Sequence, residues 1–428
     1  MGSLFVRGGI PLHGTVSIQG SKNAVLPMMA AAILHSGTTI LKNCPRISDV
    51  LFMTEILKSL GAKIDWEGHT MRIDCASLHS WKIPSIYGVQ MRSTTMLLGS
   101  LIGRMGKCEM PYPGGCMIGK RPIDLHIDGL KALNVQTEER TCAIRAETKA
   151  LTGGSYCFRG KSVGATENMI MAAVFAKGCT ILSGCSIEPE IVWLCRFLVN
   201  MGAKIRGIGT GNLQIEGVRE LKDSEFSVPS DRIVAGAYLL AGAITRGTVI
   251  LEDAPVEEMG SILSAYKKMG GQYEHSSGKL VTNSGKICSP LLFIETEVYP
   301  GLPTDLQSQL MAVLATIPGN SRIRENVFED RFKVVADLNK MGCSIAVRNR
   351  DAYIHGVSVL HGAEVTAREL RGGAALVLAA LAAEGNSCIQ NYHYIERGYE
   401  DISRDLALLG GVCRRGDGDP EENNEIQE

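Results

Sequence analysis

The chain repeats itself six times, and this limits the folds open to it more than any other feature. Apolar, alanine-rich stretches with helical character end at Gly37, Gly106, Gly178, Gly247, Gly319 and Gly385. Each glycine is followed by a short strand-like run: TTILKN, KCEM, CTILSG, TVILED, NSRIREN and NSCIQN. The period is about 70 residues, too long for a solenoid and right for one supersecondary unit. A second amphipathic helix follows each run and stops near Gly-Ala or a relic of it: LKSLGAKI, LKALNVQT, LVNMGAKI, YKKMGGQY, LNKMGCSI and LALLGGVC. Glycine there suits a left-handed helix end. A strand, a turn and another strand close each unit, as in AKIDWEG then HTMRID. The unit therefore reads strand–helix–strand–helix–strand–strand in a circular sense. Six such units in 428 residues predict an α/β chain of two domains, three units each.

Counting back about 14 to 16 residues from each of those glycines reaches the expected start of the first helix. The residues there are Lys22, Arg92, Ser162, Arg232, Asp305 and Arg371. A helix N-terminus favours anions, so four cations among six such positions are unfavourable unless something negative joins them. One solvated helix start would need no explanation. Recurrence across the units favours a shared anionic ligand. A second series stands near the start of the second helices: Arg121, Glu188 with Glu190, Arg331, and Arg397. If the two domains face each other, Lys22, Arg92, Arg121, Arg331, Arg371 and Arg397 can meet in one cleft with Asp305 as a lone acid. Such a cleft suits a substrate with several phosphates or carboxylates. Asp305, after Leu-Pro-Thr, is a candidate general base, although an ordinary helix cap is an equally common use of aspartate.

The segment from Pro113 to His126 reads PGGCMIGKRPIDLH. Two glycines precede Cys116, and Lys120 and Arg121 follow it. The glycines allow close backbone approach. Cys116 offers a thiol for proton donation or attack on carbon, and the cations suit phosphate or carboxylate. A buried structural thiol is the usual fate of cysteine, but this polar, glycine-rich setting argues against it. Gly114, Gly119 and Lys120 nearly complete a phosphate-binding loop. Arg121 replaces the hydroxyl residue that would hold magnesium, which excludes a nucleotide triphosphatase.

Composition excludes other classes. The 44 basic and 45 acidic residues create no global field for nucleic acid or an anionic membrane. Thirteen cysteines are scattered singly, without metal-ligand spacing. This argues against zinc and against a disulfide framework, and for a reducing compartment. No apolar run spans a bilayer, the start lacks a signal-peptide core, and Val6 breaks a myristoylation motif. Residues 416–428 are polar and acidic, and are expected to form a disordered tail.

The residues then match a known pattern. GSKNAVLP with Lys22 and Asn23, the PGGCMIGKRPIDLH loop, SVGATEN, EPEIV and PSDRI occur in order. LPTDLQSQ, ENVFEDRF, LRGGAALVLA and IERGYE follow. Together they resemble the enolpyruvyl transferase family, in particular the UDP-N-acetylglucosamine 1-carboxyvinyltransferases that begin bacterial peptidoglycan synthesis. The resemblance implies two inside-out α/β barrel domains, each of three repeated strand–helix units, with an interdomain active-site cleft. It implies one domain of residues 1–21 plus 230–428 and another of 22–229. The implied reaction moves the enolpyruvyl group of phosphoenolpyruvate to the 3-hydroxyl of the sugar and releases phosphate. Lys22, Asn23, Arg121, Arg371 and Arg397 would bind phosphoenolpyruvate. Asn23, Arg92, Arg121, Pro122, Ile123, Asp124, Leu125, Ser162, Val163, Gly164, Asp305 and Val327 would bind the nucleotide sugar. Cys116 would protonate the methylene carbon, Asp305 would act as base on the sugar hydroxyl, and Lys22 and Arg397 would complete the catalytic set. Arg331 and Arg232 would add charge to the cleft. The family needs no metal and no cofactor. The implied enzyme is cytoplasmic, with small-molecule substrates, no nucleic-acid or membrane partner and no obligate protein partner.

Three positions depart from the family pattern: Gly160–Lys161 before Ser162, Glu369 where aspartate is usual, and Glu396 likewise. Two other readings compete. A 5-enolpyruvylshikimate-3-phosphate synthase would share fold and donor, but it lacks the cysteine loop, and its N-A-G-T-A motif is absent here. A non-catalytic paralogue binding the nucleotide sugar is disfavoured by the joint presence of Lys22, Cys116, Asp305 and Arg397.

Overall fold

The computed structural model describes residues 2–88, 91–112, 119 and 122–416. Cys116, Lys120, Arg121 and the C-terminal tail lie outside the described residues. The chain divides into two compact units that it enters and leaves at Ile18–Gln19 and Ser230–Asp231. Each has its own apolar core. We call the described residues of 19–112 and 122–230 the central unit and those of 2–18 and 231–416 the terminal unit.

All six repeats are present among the described residues. In the central unit the first helices are Lys22–Ala32, Met96–Met105 and Val163–Ala173. In the terminal unit they are Arg232–Ile244, Gln307–Leu314 and Leu370–Ala382. Every residue of Arg232–Ile244 is buried. Beyond their polar first turns these helices are apolar on most sides and largely buried, so they must be enclosed. The strands instead alternate, as in Thr248–Glu252 and Thr38–Lys42, and so cover the helices with one face and meet solvent with the other. In the terminal unit the three first helices pack on one another. Helices inside and sheets outside is the inside-out arrangement.

One difference from the sequence reading concerns where helices stop. Five of the six first helices end several residues before their glycine, and only Gly106 caps its helix directly. The alanine-rich pattern continues past the last helical turn because that stretch is still core. The second helices follow the expectation closely. Gly61, Gly202, Gly270, Gly342 and Gly410 have φ of 84–107°, and Asn134 takes the same left-handed conformation at 65°.

Among the described residues, the five four-stranded sheets share one order. The strand after the first helix pairs in parallel with one neighbour and antiparallel with the second strand of the hairpin. The circular sense of the repeat appears at the ends. Ser224–Ser227 joins Thr38–Lys42, and His13–Ser17 joins Thr248–Glu252. Ser3–Arg7 enters between Asn386–Gln390 and Val412–Gly416, supplying a hairpin strand that the last repeat lacks. The sheet of Lys107–Pro111 is three-stranded, with a single parallel bridge from Lys82 to Glu109 in the fourth position.

Close helix approach in the central unit depends on Gly99. A Cβ there would run into the Asn168 carbonyl and lie 2.7 Å from the Asn168 Cα and Oδ1. Gly99→Ala is therefore expected to destabilise the protein by ~1–3 kcal/mol, although alanine is the better helix former by about 1 kcal/mol. Equilibrium urea unfolding measures it; an unchanged or raised midpoint would contradict the packing described.

Candidate active site

The helix heads are where the unusual polar chemistry collects. In the terminal unit the single turn Thr304–Leu306 leads into Gln307–Leu314 and carries Asp305. Its carboxylate is held on both oxygens. Arg331 Nη2 donates to Oδ1 at 2.5 Å and Arg371 Nη2 donates to Oδ2 at 2.8 Å. Both guanidinium side chains are almost enclosed, 3% and 5% exposed, whereas Asp305 is 25% exposed. Opposite charge this close favours the ionised carboxylate. A carboxylate offers about four acceptor directions, so a hydroxyl can reach Asp305 from its open side.

Asp305 is not a lone acid. Glu369 caps the helix Leu370–Ala382, accepting the Arg371 N–H at 2.7 Å and the Gly372 N–H. It also lies 3.5 Å from Arg331 Nη1. One glutamate thus satisfies orphan helix donors and balances a buried arginine. This resolves why a cation can stand at this helix start. Burial alone would pull the Arg371 guanidinium down, but Asp305 holds it above its ordinary value.

Arg397 ends the turn Tyr392–Arg397, which lies on the Arg371 helix. Small residues permit the approach: a Cβ on Gly398 would stand 2.7 Å from Leu370, and one on Gly373 2.9 Å from Ile395. Glu396 pairs with Arg415 at 3.4 Å. Arg232 begins its helix beside the capping Asp231 and sets its guanidinium 5.8 Å from the Tyr299 ring centre. Val327 lies after the strand Gly319–Arg324, where its N–H donates to Glu325.

In the central unit Lys22 is the first residue of a helix capped by Ser21. Its ammonium pairs with Asp49 at 2.5 Å, from the first turn of Ser48–Leu60. Asn23 follows, half-buried. Arg92 opens the turn Arg92–Thr95 and donates to the Pro122 carbonyl at 3.3 Å. It thereby holds the segment through Ile123 to the helix Asp124–Ala132, with Leu125 against the core. Asp124 pairs with Arg159 at 3.5 Å. Ser162 caps Val163–Ala173 through the Ala165 N–H, and Val163 packs on the core. Gly164 lies beside His126. Asn168 ties these heads together: its Nδ2 donates to the Thr95 carbonyl at 2.9 Å and to His126 Nδ1 at 2.8 Å. Its Oδ1 accepts the Gly99 N–H. Lys161 donates to the carbonyls of Gly184 and Cys185 at 3.2 and 2.8 Å.

The structure thus brings Asp305, Arg331 and Arg371 into one network, and Arg92, Pro122 and the Ser162 helix into one region. Sequence reasoning missed Asp49, the counter-ion of Lys22, and Glu325. The signal for Asp49 was available, since Ser-Asp before an apolar run marks a helix start.

Comparison with known proteins decides the family. A family model described as EPSP synthase (3-phosphoshikimate 1-carboxyvinyltransferase) matches residues 6–406. UDP-N-acetylglucosamine 1-carboxyvinyltransferase 2 of Caldanaerobacter subterraneus is 41% identical over 96% of this chain and 98% of its own length. The UDP-N-acetylglucosamine 1-carboxyvinyltransferase of Methylacidiphilum infernorum is 42% identical over 97% and 99%. This chain belongs to the UDP-N-acetylglucosamine 1-carboxyvinyltransferase family of enolpyruvyl transferases. The fold is shared more widely within the enolpyruvyl transferases. The enolpyruvyl transferase NikO from Streptomyces tendae superposes with a TM-score of 0.87 at 24% identity, covering 97% of this chain and 99% of its own. An EPSP synthase from Acinetobacter baumannii superposes at 0.72 and 18% identity, over 97% and 100%. No helix among the described residues is long and apolar enough to cross a membrane.

Proposed function

We propose that this transferase moves the enolpyruvyl group of phosphoenolpyruvate to the 3-hydroxyl of UDP-N-acetylglucosamine and releases phosphate, the first committed step of peptidoglycan synthesis. The observation that carries the reading is the Asp305 carboxylate gripped by Arg331 and Arg371 in a chain with full-length transferase relatives. The sugar hydroxyl gives its proton to Asp305 while its oxygen bonds to the central carbon of phosphoenolpyruvate. Cys116 gives a proton to the methylene carbon, leaving a tetrahedral ketal. The carbon–oxygen bond to phosphate then breaks, and loss of a proton from the new methyl group restores the double bond. Lys22, Arg121, Arg371 and Arg397 neutralise the phosphoenolpyruvate anion, and Asn23 helps to orient it by hydrogen bonding. Arg92, Pro122, Ile123, Asp124, Leu125, Ser162, Val163, Gly164 and Val327 hold the nucleotide sugar, with Arg331 and Arg232 as further charge. The chemistry needs neither metal nor cofactor, and its substrates are small cytoplasmic molecules.

The test is phosphate release from phosphoenolpyruvate. Release is expected with UDP-N-acetylglucosamine and not with shikimate 3-phosphate. Release only with the shikimate would move the chain to the sister activity. Sugar-nucleotide binding without release would make it a non-catalytic paralogue.

A further inference from the structure

We propose that Glu325 is a positioning residue that locks the turn bearing Asp305 to the loop bearing Val327. The inference rests on the roles given above to those two residues. Glu325 follows the strand Gly319–Arg324 and is 1% exposed. Its Oε2 accepts the Thr304 hydroxyl at 2.9 Å. Its Oε1 accepts the N–H groups of Val327 and Phe328 at 2.7 and 3.0 Å. Among the described residues no lysine or arginine pairs with it. A buried carboxylate without a cation is costly unless several donors converge on it, and three do.

The contacts form a closed circuit. Thr304 precedes Asp305, and Asp305 pairs with Arg331. The Arg331 guanidinium lies over the Phe328 ring, 5.5 Å from its centre. The Phe328 N–H returns to Glu325. The turn Thr304–Leu306 has three residues and runs straight into the helix Gln307–Leu314, so Glu325 supplies a tie from outside that helix. The backbone around Glu325 is itself anchored: its N–H donates to the Arg350 carbonyl at 2.8 Å, and the Asn326 N–H to Thr296 Oγ1 at 3.0 Å. Glu325 thus transmits a fixed frame to both the base and the sugar-nucleotide contact, without touching either substrate.

Substitution separates positioning from charge. In Glu325→Gln the amide oxygen can still accept both N–H groups. Its nitrogen can donate to Thr304 once that hydroxyl turns round. Glu325→Ala removes all three contacts, and Thr304→Val removes one. Misplacement by about 1 Å can cost ~100-fold. Glu325→Ala is therefore expected to lower kcat about 10- to 100-fold. It should also raise KM for the nucleotide sugar more than KM for phosphoenolpyruvate. Glu325→Gln should restore most of both, and Thr304→Val should lower kcat with the sugar KM near that of the parent. Thermal unfolding checks that each variant is folded. If Glu325→Ala does not fold, Thr304→Val and Glu325→Gln carry the test. Hydrogen exchange supplies a readout independent of turnover: the Val327 and Phe328 amides should exchange faster in Glu325→Ala and stay slow in Glu325→Gln. Parent-like kinetics and exchange in folded Glu325→Ala and Thr304→Val would overturn the proposal. So would a Glu325→Gln as impaired as the alanine variant, because charge would then be the operative property. An inactive parent would sink the functional reading, while the exchange result would still decide the tie.

Discussion

Replacing Asp305 with asparagine is expected to lower kcat by ~10²–10⁴-fold, the range typical for loss of a general base. Asparagine keeps the shape of the side chain and can still accept from one arginine, but it cannot take a proton from the sugar hydroxyl. The substitution also leaves Arg331 and Arg371, both almost enclosed, without their shared counter-charge. Breaking a buried pair costs ~3–5 kcal/mol. Here the cost should fall toward or below the lower end, because Asp305 is a quarter exposed and Glu369 stays beside Arg331. Single-turnover kinetics with saturating substrates measure the chemical step, and urea unfolding measures the stability. Near-parental turnover in a folded Asp305→Asn would remove Asp305 from the base role and leave it as a counter-ion for two arginines.

Cys116→Ala should lose a comparable share of turnover, ~10²–10⁴-fold, if the thiol is the acid that protonates the methylene carbon. Cys116→Asp should keep appreciable activity, since a carboxylic acid also donates a proton. A free thiol titrates at about 8.5, and the thiolate is its nucleophilic form. As the active-site thiol, Cys116 should open a phosphonate epoxide such as fosfomycin, forming a thioether. The aspartate variant should resist the epoxide.

The other cysteines set the controls. Burial pushes the thiols of Cys44, Cys75, Cys195, Cys343 and Cys413 up to about 12, so they should be inert. Cys142, Cys157, Cys179 and Cys288 are exposed and could react without bearing on catalysis. The decisive measurement is therefore intact mass followed by peptide mapping, with the nucleotide sugar present. A single adduct on the Cys116 peptide is expected. No adduct on the Cys116 peptide of the parent, or loss of activity to the epoxide without one, would sink the assignment, whatever forms on the exposed cysteines.

The sequence by itself determined the repeat and what each repeat is made of. Helix ends written as glycine or asparagine, strand runs of alternating character and alanine-rich, mostly apolar first helices are local signals, and each reads out within a dozen residues. That is why the six strands after the glycines and the left-handed ends at Gly61, Asn134, Gly202, Gly270, Gly342 and Gly410 were legible. The helix-head residues were legible too, since Lys22, Arg92, Ser162, Arg232, Asp305 and Arg371 all stand at or next to the start of a helix or of the turn that leads into one. Tertiary structure decided what those heads are paired with. Asp305 meets Arg331 and Arg371, which lie 26 and 66 positions away, and Lys22 meets Asp49 from the following helix. Nothing in a local pattern says which buried cation will find which carboxylate, because that depends on how helices from different repeats pack. Tertiary structure also ended five of the six first helices before their glycines and sent Ser3–Arg7 to complete the final sheet. Core burial and strand pairing are satisfied by whatever segment lies adjacent in space, and adjacency in space is a property of the whole unit.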